Sequence, residues 1–194
     1  MRYLVVVAHP DQNSFCAALN RTVCQALERA GHEVDNLDLY AEGFDPVLNQ
    51  QEWTDYHSRD DNQANVRDHV TRLQRAEGLI FVFPTWWSSM PAILKGWLDR
   101  VWLPHVVFAL PENGKPIQPL LQNIRHIGGV TTCGAPWLVS RLMGEAGRRI
   151  ILRGLRALCH KSCKKTWLSL YKIDETSPEQ RSAFLHKIEN TFQN

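Results

Sequence analysis

The chain has 194 residues, enough for one domain with a full hydrophobic core. Its 44% hydrophobic and 22% charged content is that of an ordinary globular protein, and a formal charge of +2 argues against a nucleic-acid binder. No apolar run approaches the roughly 20 residues of a membrane span, and no signal-peptide-like leader precedes the first strand, so a cytoplasmic protein that is not membrane-embedded is expected.

Tyr3 to Ala8 is a continuous apolar, β-branched run, as in a strand buried on both faces of a parallel sheet. After His9-Pro10 and a polar loop comes a helix with Phe15, Leu19, Val23, Ala26 and Leu27 on one face, closed by Ala30-Gly31. Glu33 to Leu39 alternates as a second strand. Asn49 to Gln63 reads as a long polar connection holding Trp53 and Tyr56, of the kind that is functional or mobile. Val66, Val70 and Leu73 mark a second helix, and Gly78 to Phe83 a third strand.

That strand runs into Pro84-Thr85-Trp86-Trp87-Ser88-Ser89-Met90-Pro91, a lip of aromatic faces and small hydroxyls with a proline at each end. Such a lip suits a flat, partly polar ring. The third helix, opened by Pro91, carries Ile93, Leu94, Trp97, Leu98, Val101 and Trp102 inward. Phe108 to Pro116 reads as an excursion around the turn signal Glu112-Asn113-Gly114. Ile124 to Thr132 is a fourth strand, broken by Gly128-Gly129, and Val139 to Cys159 is mainly helical with interruptions at Gly144, Gly147 and Gly154. Thr166 to Tyr171 is a fifth strand, and Pro178 fits the first turn of a last helix. Five alternations predict one doubly wound α/β domain over 1–194, built on an open, five-stranded parallel sheet.

The ends of the first, third and fourth strands converge on one edge of such a sheet; in a flavodoxin-like order, 2-1-3-4-5, the first and third flank the point where strand order reverses, which is where a cofactor sits. The first loop is neither G-x-G-x-x-G nor G-x-x-x-x-G-K-[ST]. It still offers the backbone N–H groups of Ser14, Phe15 and Cys16 at a helix N-terminus, with the Ser14 hydroxyl and His9 ring as further donors to a phosphate. Taken alone, Ser14 or Asn13 is better read as a helix N-cap. Of two adjacent tryptophans at a strand end, one should border a cleft. Thr131-Thr132-Cys133-Gly134 supplies hydroxyls, backbone donors and a glycine for close approach; Cys133 reads as a packing residue, with no His or Asp placed to activate it. The five cysteines read as reduced thiols, and Cys159-His160 with Cys163 lacks the further ligands of a zinc site, so no metal is expected. The basic stretch Arg148, Arg149, Arg153, Arg156, Lys161, Lys164 and Lys165 reads first as a solvated helix face, against an anion or partner site.

Ala8-His9-Pro10, Ser14-Phe15, Phe83-Pro84, Trp87, Pro91-Ala92-Ile93-Leu94-Lys95-Gly96-Trp97 and Thr131-Thr132 with Gly134 together resemble the NAD(P)H:quinone oxidoreductase family of flavodoxin-like flavoproteins, which includes drug-activity modulator reductases and ancillary reductases of potassium-efflux systems. The resemblance runs in order along essentially the whole chain. It implies that His9, Ser14, Phe15 and Cys16 hold flavin phosphates, that Pro84, Thr85, Trp86 and Trp87 pack against the isoalloxazine, and that Thr131, Thr132 and Gly134 approach its pyrimidine edge. Trp87 would also border the slot where nicotinamide and acceptor alternate, which makes it the catalytic candidate.

The implied activity is two-electron, ping-pong reduction of a quinone-like acceptor by NAD(P)H on FAD, with FMN as alternative; the polar segment 49–65 would cover an AMP half. The alternatives are a flavodoxin-type electron carrier, disfavoured by the slightly basic charge, and a flavin-binding ancillary subunit of a membrane transporter. Relatives are usually homodimers, so Trp97, Trp102 and Trp137 are also candidates for an exposed contact, against the inward reading of the first two. Departures from the family pattern are Trp86 and Ser88 around Trp87, Cys133 for a glycine, and neither Tyr nor His in the Ala135 to Arg141 region where a charge relay is proposed in relatives.

Overall fold

The computed structural model describes residues 1–111 and 116–193. In chain order the elements are β1 (Arg2–Val7), α1 (Phe15–Arg29), β2 (Glu33–Asp38), α2 (Gln50–Asp55), α3 (Arg67–Arg75), β3 (Gly78–Thr85) and α4 (Ala92–Val101). A two-residue pair, β4 (Phe108–Ala109) and β5 (Gln118–Pro119), precedes β6 (His126–Cys133), α5 (Trp137–Leu142) and α6 (Ala146–Arg149); β7 (Lys164–Tyr171) and α7 (Pro178–Phe192) complete the chain. β4 and β5 flank the expected turn at Glu112-Asn113-Gly114, which lies outside the described residues.

The main sheet is all parallel in the order β2-β1-β3-β6-β7, the expected 2-1-3-4-5 once the small hairpin is set aside. Successive strand residues point to opposite faces, so each apolar run feeds two cores. Leu4, Val6, Leu79, Phe81 and Ile127 pack with α3 and α4 on one side. Val5, Val7, Ile80, Val82 and Val130 pack with α1 and α7 on the other. Among the described residues no helix is long and apolar enough to cross a membrane.

Four local expectations are corrected. Residues 49–65 are not a bare loop: Asn49 and Glu52 form a capping box that starts α2, and buried Arg100 clamps Glu52 at 2.5 Å. β6 is continuous through Gly128-Gly129, and the glycines stand there for room: a Cβ at Gly128 would sit 2.7 Å from the Thr166 carbonyl and one at Gly129 2.4 Å from the Trp167 ring. The helical stretch after β6 is four short pieces, α5, α6, a π-turn at Ile150–Gly154 and a 3₁₀ turn at Leu155–Leu158, with the bend at Gly144 and Glu145 in left-handed conformations (φ 91° and 44°). Trp97 and Trp102 are buried in the α4 core, as periodicity says, and offer no exposed contact; only Trp137 of the three is exposed.

Candidate active site

Because the main sheet is parallel, the carboxyl ends of β1, β3, β6 and β7 share one edge. Register aligns Thr85 with Cys133 and Cys133 with Tyr171 across three strands. Beyond these ends lies a cavity of about 250 Å³, and the predicted residues Thr85, Trp87, Thr131 and Gly134 line it.

The β3 loop owes its shape to a two-residue turn. Trp86 and Ser89 exchange backbone hydrogen bonds, both 3.0 Å, while Trp87 (φ 48°) and Ser88 (φ 59°) both take left-handed backbone. That is the geometry of a type I′ turn, which Asn and Gly fill at low cost and Trp does not. The turn throws the Trp87 indole wholly into solvent at the cavity rim. Trp86 is half exposed, with its ring 6.1 Å from that of His9. Pro84 is buried at the end of β3.

At β1's end, Ser14 is the N-cap of α1. Its hydroxyl donates to the Asp11 carbonyl (2.7 Å) and accepts from Ala17 N–H (3.1 Å). Its own N–H goes to the Asp11 carbonyl at 3.2 Å. The Ser14 donors are therefore spent on the loop, which is the capping reading rather than the phosphate-donor one. The N–H groups of Phe15 and Cys16 have no partner among the described residues, at the positive end of a 15-residue helix. His9 Nδ1 lies 3.0 Å from Asp11 N–H and 3.1 Å from the Asp11 carbonyl, so the loop engages Nδ1 and Nε2 is the ring nitrogen left without a partner among the described residues. The Cys16 thiol is buried, and burial followed by the nearby Asp38 carboxylate pushes its pKa up to about 12, so it stays protonated and inert.

At β6's end Thr131 Oγ1 and Thr85 Oγ1 hydrogen-bond at 2.9 Å, and Thr131 also donates to the Thr132 carbonyl. Thr132 is buried, and neither it nor Pro84, Trp86 or the α1 residues line the cavity. Gly134 is exposed; a Cβ there would meet the Asp174 carboxylate at 3.2 Å. Cys133 Sγ contacts Ser140 Oγ at 3.2 Å.

Sequence reasoning missed the far wall, built from Glu145, Trp167, Ser169 and Tyr171. Tyr171 Oη donates to Glu145 Oε1 at 2.8 Å, and Arg141 and Arg148 bridge Glu145 Oε2 at 3.1 and 3.2 Å. Burial opposes the Glu145 charge, yet the Tyr171 hydroxyl and the two arginines outweigh it and hold this carboxyl below the usual range. Burial, and then the Glu145 carboxylate, raise the Tyr171 phenol above its ordinary value. Tyr171 is therefore a weak acid in this setting.

The profile described as flavodoxin-like fold matches residues 1–194. The chain belongs to the flavodoxin-like family. Among solved structures, this flavodoxin-like chain is similar to Smu.1420 from Streptococcus mutans UA159, at 32% identity and a TM-score of 0.86 over 100% of both chains. It is likewise similar to the NAD(P)H:quinone oxidoreductase from Methanothermobacter marburgensis, at 26% identity and a TM-score of 0.85 over 100% of this chain and 98% of that one. NAD(P)H dehydrogenase [quinone] 1 of Cavia porcellus is 28% identical over 95% of this chain and 73% of its own length. Alignments to other curated relatives span less of those proteins, 44% of a ribosyldihydronicotinamide dehydrogenase-like protein from Penicillium crustosum, for example. These matches agree with the resemblance and fold expected from the three loops.

Proposed function

We propose that this protein is a flavin-dependent NAD(P)H oxidoreductase, in which NAD(P)H and a quinone-like acceptor take turns at the cavity bordered by Trp87. The observation that carries the reading is the Trp87 indole, held wholly exposed by a strained turn at the carboxyl edge of the sheet, beside a cavity and one strand from an unsatisfied helix N-terminus. Whole-chain similarity to the M. marburgensis quinone oxidoreductase supports it.

The residues fit a flavin. Phe15 N–H, Cys16 N–H and His9 Nε2 are free to meet its phosphates, with Ser14 fixing the helix start. Pro84, Thr85, Trp86 and Trp87 would seat the ring system, and Thr131, Thr132 and Gly134 its pyrimidine edge. A bound flavin would supply the redox chemistry, as hydride acceptor toward NAD(P)H and two-electron donor toward the acceptor. The chain's own work is placement. Trp87 offers one aromatic face against which flat substrates stack in turn, which makes the kinetics ping-pong. Tyr171, its proton committed to Glu145, does not fill the absent relay, and hydride transfer to flavin requires no protein acid.

The cofactor in this reading is FAD, with FMN the alternative; FAD rests on segment 49–65, whose first part is the capped helix α2 presenting Trp53. A second copy completing the site belongs to the same proposal, since Trp137, Leu138, Leu142 and Met143 are exposed on α5 and its C-cap next to the cavity. Extraction of the bound nucleotide and its mass decides FAD against FMN. Steady-state oxidation of NADPH with menadione tests the activity; tight flavin binding with negligible turnover would refute the enzyme reading and favour a carrier or a transporter subunit.

A further inference from the structure

A second cavity, of about 530 Å³, adjoins the first, and the two share Glu145, Arg148 and Trp167. Its wall is the crossover between β6 and β7. The left-handed pair Gly144 and Glu145 joins α5 to α6, and Arg141 of α5 reaches Glu145 at that bend. Arg149 and Arg153 stand four residues apart on the helical run that follows, and Lys165 lies on the same face of β7 as Trp167.

The charge in this cavity is lopsided. Five cations line it against the single carboxylate of Glu145, in a chain whose total charge is only +2. Arg141 and Arg148 share that carboxylate, whereas Arg149, Arg153 and Lys165 make no ion pair among the described residues. A solvated helix face accounts for single arginines pointing outward. It does not account for cations from four elements gathered round one concavity, where they repel each other and focus positive potential inward.

The neighbouring cavity, on the proposed reading, receives the nicotinamide ring of a substrate whose other end carries phosphates. We infer that the basic cavity holds the adenosine end of the dinucleotide, and that Arg149, Arg153 and Lys165 favour NADPH over NADH by binding the 2′-phosphate. The inference rests on the oxidoreductase reading for the identity of the ligand. The phosphate monoester brings close to two negative charges at neutral pH, and arginine forks bind such groups bidentately. Arg148, at the junction of the two cavities and already paired, is placed for the diphosphate that NADH and NADPH share; the three cations without partners are left for the group that distinguishes them.

The test has two arms. In the first, the purified holoenzyme is titrated by calorimetry with 2′,5′-ADP and with 5′-AMP, at low and high salt. Wild type should bind 2′,5′-ADP about 10-fold or more tightly than 5′-AMP, with the advantage lost at high salt and in Arg149→Ala/Arg153→Ala. In the second, kcat/KM is measured for NADPH and NADH. The ratio should fall about 10- to 100-fold in the double variant, and Lys165→Glu, on a different element, should lower it as well. All three side chains are exposed, so melting temperatures should match wild type.

Equal binding of the two adenylates, or an NADPH:NADH ratio that stays put or starts at one, would overturn the inference. So would a parallel loss for both nicotinamides. If neither nicotinamide is oxidised by flavin-loaded protein, the oxidoreductase reading fails instead, and the binding arm still judges the cavity.

Discussion

Trp87 separates folding from function, because its indole touches solvent while its backbone is strained. Replacing it with alanine removes no buried surface from the free protein, so stability should move by less than about 0.5 kcal/mol. Glycine goes further. The left-handed backbone at φ 48° costs an L-residue about 1–2 kcal/mol, glycine relieves that, and the added freedom of the unfolded chain takes back about 0.4–1 kcal/mol. Trp87→Gly should therefore leave the flavin-free protein as stable as wild type or slightly more so. Stacking one indole face covers roughly 80 Å², worth about 2 kcal/mol at 25 cal/mol/Å², which is roughly 30-fold in affinity or KM. Both variants should lose that factor in flavin retention or NADPH turnover. Urea unfolding of flavin-free protein, flavin fluorescence titration and steady-state kinetics read the three quantities. A flavin-free Trp87→Ala destabilised by about 2 kcal/mol would make Trp87 a structural residue; unchanged flavin binding and turnover would remove it from the site.

Ser14→Asp keeps an N-cap acceptor for Ala17 N–H but loses the hydrogen bond to the Asp11 carbonyl, at a cost of about 1 kcal/mol in stability; it also sets a negative charge where the phosphate is proposed to sit, so flavin content after purification should collapse, and full occupancy would sink the phosphate seat. Arg100→Met leaves the partly buried Glu52 carboxylate without its cation and should cost up to about 3 kcal/mol by urea unfolding, most of it recovered in Arg100→Met/Glu52→Leu. Burial opposes the Glu52 charge, yet Arg100 and the cap hold its pKa below the ordinary value, so this pair's stability is present above about pH 4.3 and fades as pH falls below it. His126 sits between Tyr3 Oη (2.9 Å) and Thr166 Oγ1 (2.8 Å), and burial lowers its pKa to about 4 from 6.5. The unfolded chain takes up this proton first, so stability should decline by up to about 3 kcal/mol from pH 6.5 down to 4 and then level off as far as this residue is concerned; His126→Gln should flatten that slope in urea titrations. Gly129→Ala drives a methyl against the Trp167 ring and should cost about 1–3 kcal/mol in the same assay.

What the sequence made legible depended on whether the cause was local. The strands β1 and β3 are apolar runs buried on both faces, and such runs announce themselves. Gly128-Gly129 misled because glycine in isolation signals a break; the reason for it, the Thr166 carbonyl and Trp167 ring pressed on β6, lies nearly 40 residues downstream. α2 was missed although its capping signal Asn49-x-x-Glu52 was visible, since α2 buries none of its residues and shows no periodicity. It is held by Arg100, which is 48 residues away. Trp97 and Trp102 are the opposite case: their spacing in α4 buries both, whatever contact a dimer of relatives would suggest.

The site divides the same way. Three loops carried motifs and could be read, whereas Tyr171 has no motif around it and Glu145 depends on a left-handed bend after Gly144. Yet Tyr171 was within reach. Once a parallel sheet in the order 2-1-3-4-5 is accepted, the last strand must end on the same edge as the others, and its terminal residue must flank the ligand cleft beside Cys133. The topology thus implies a fourth wall, and the basic crossover leading into β7 must lie beside that wall rather than on a remote helix face. If the proposed site holds, that placement makes the arginines a determinant of substrate choice, and the NADPH:NADH ratio is the measurement most sensitive to it.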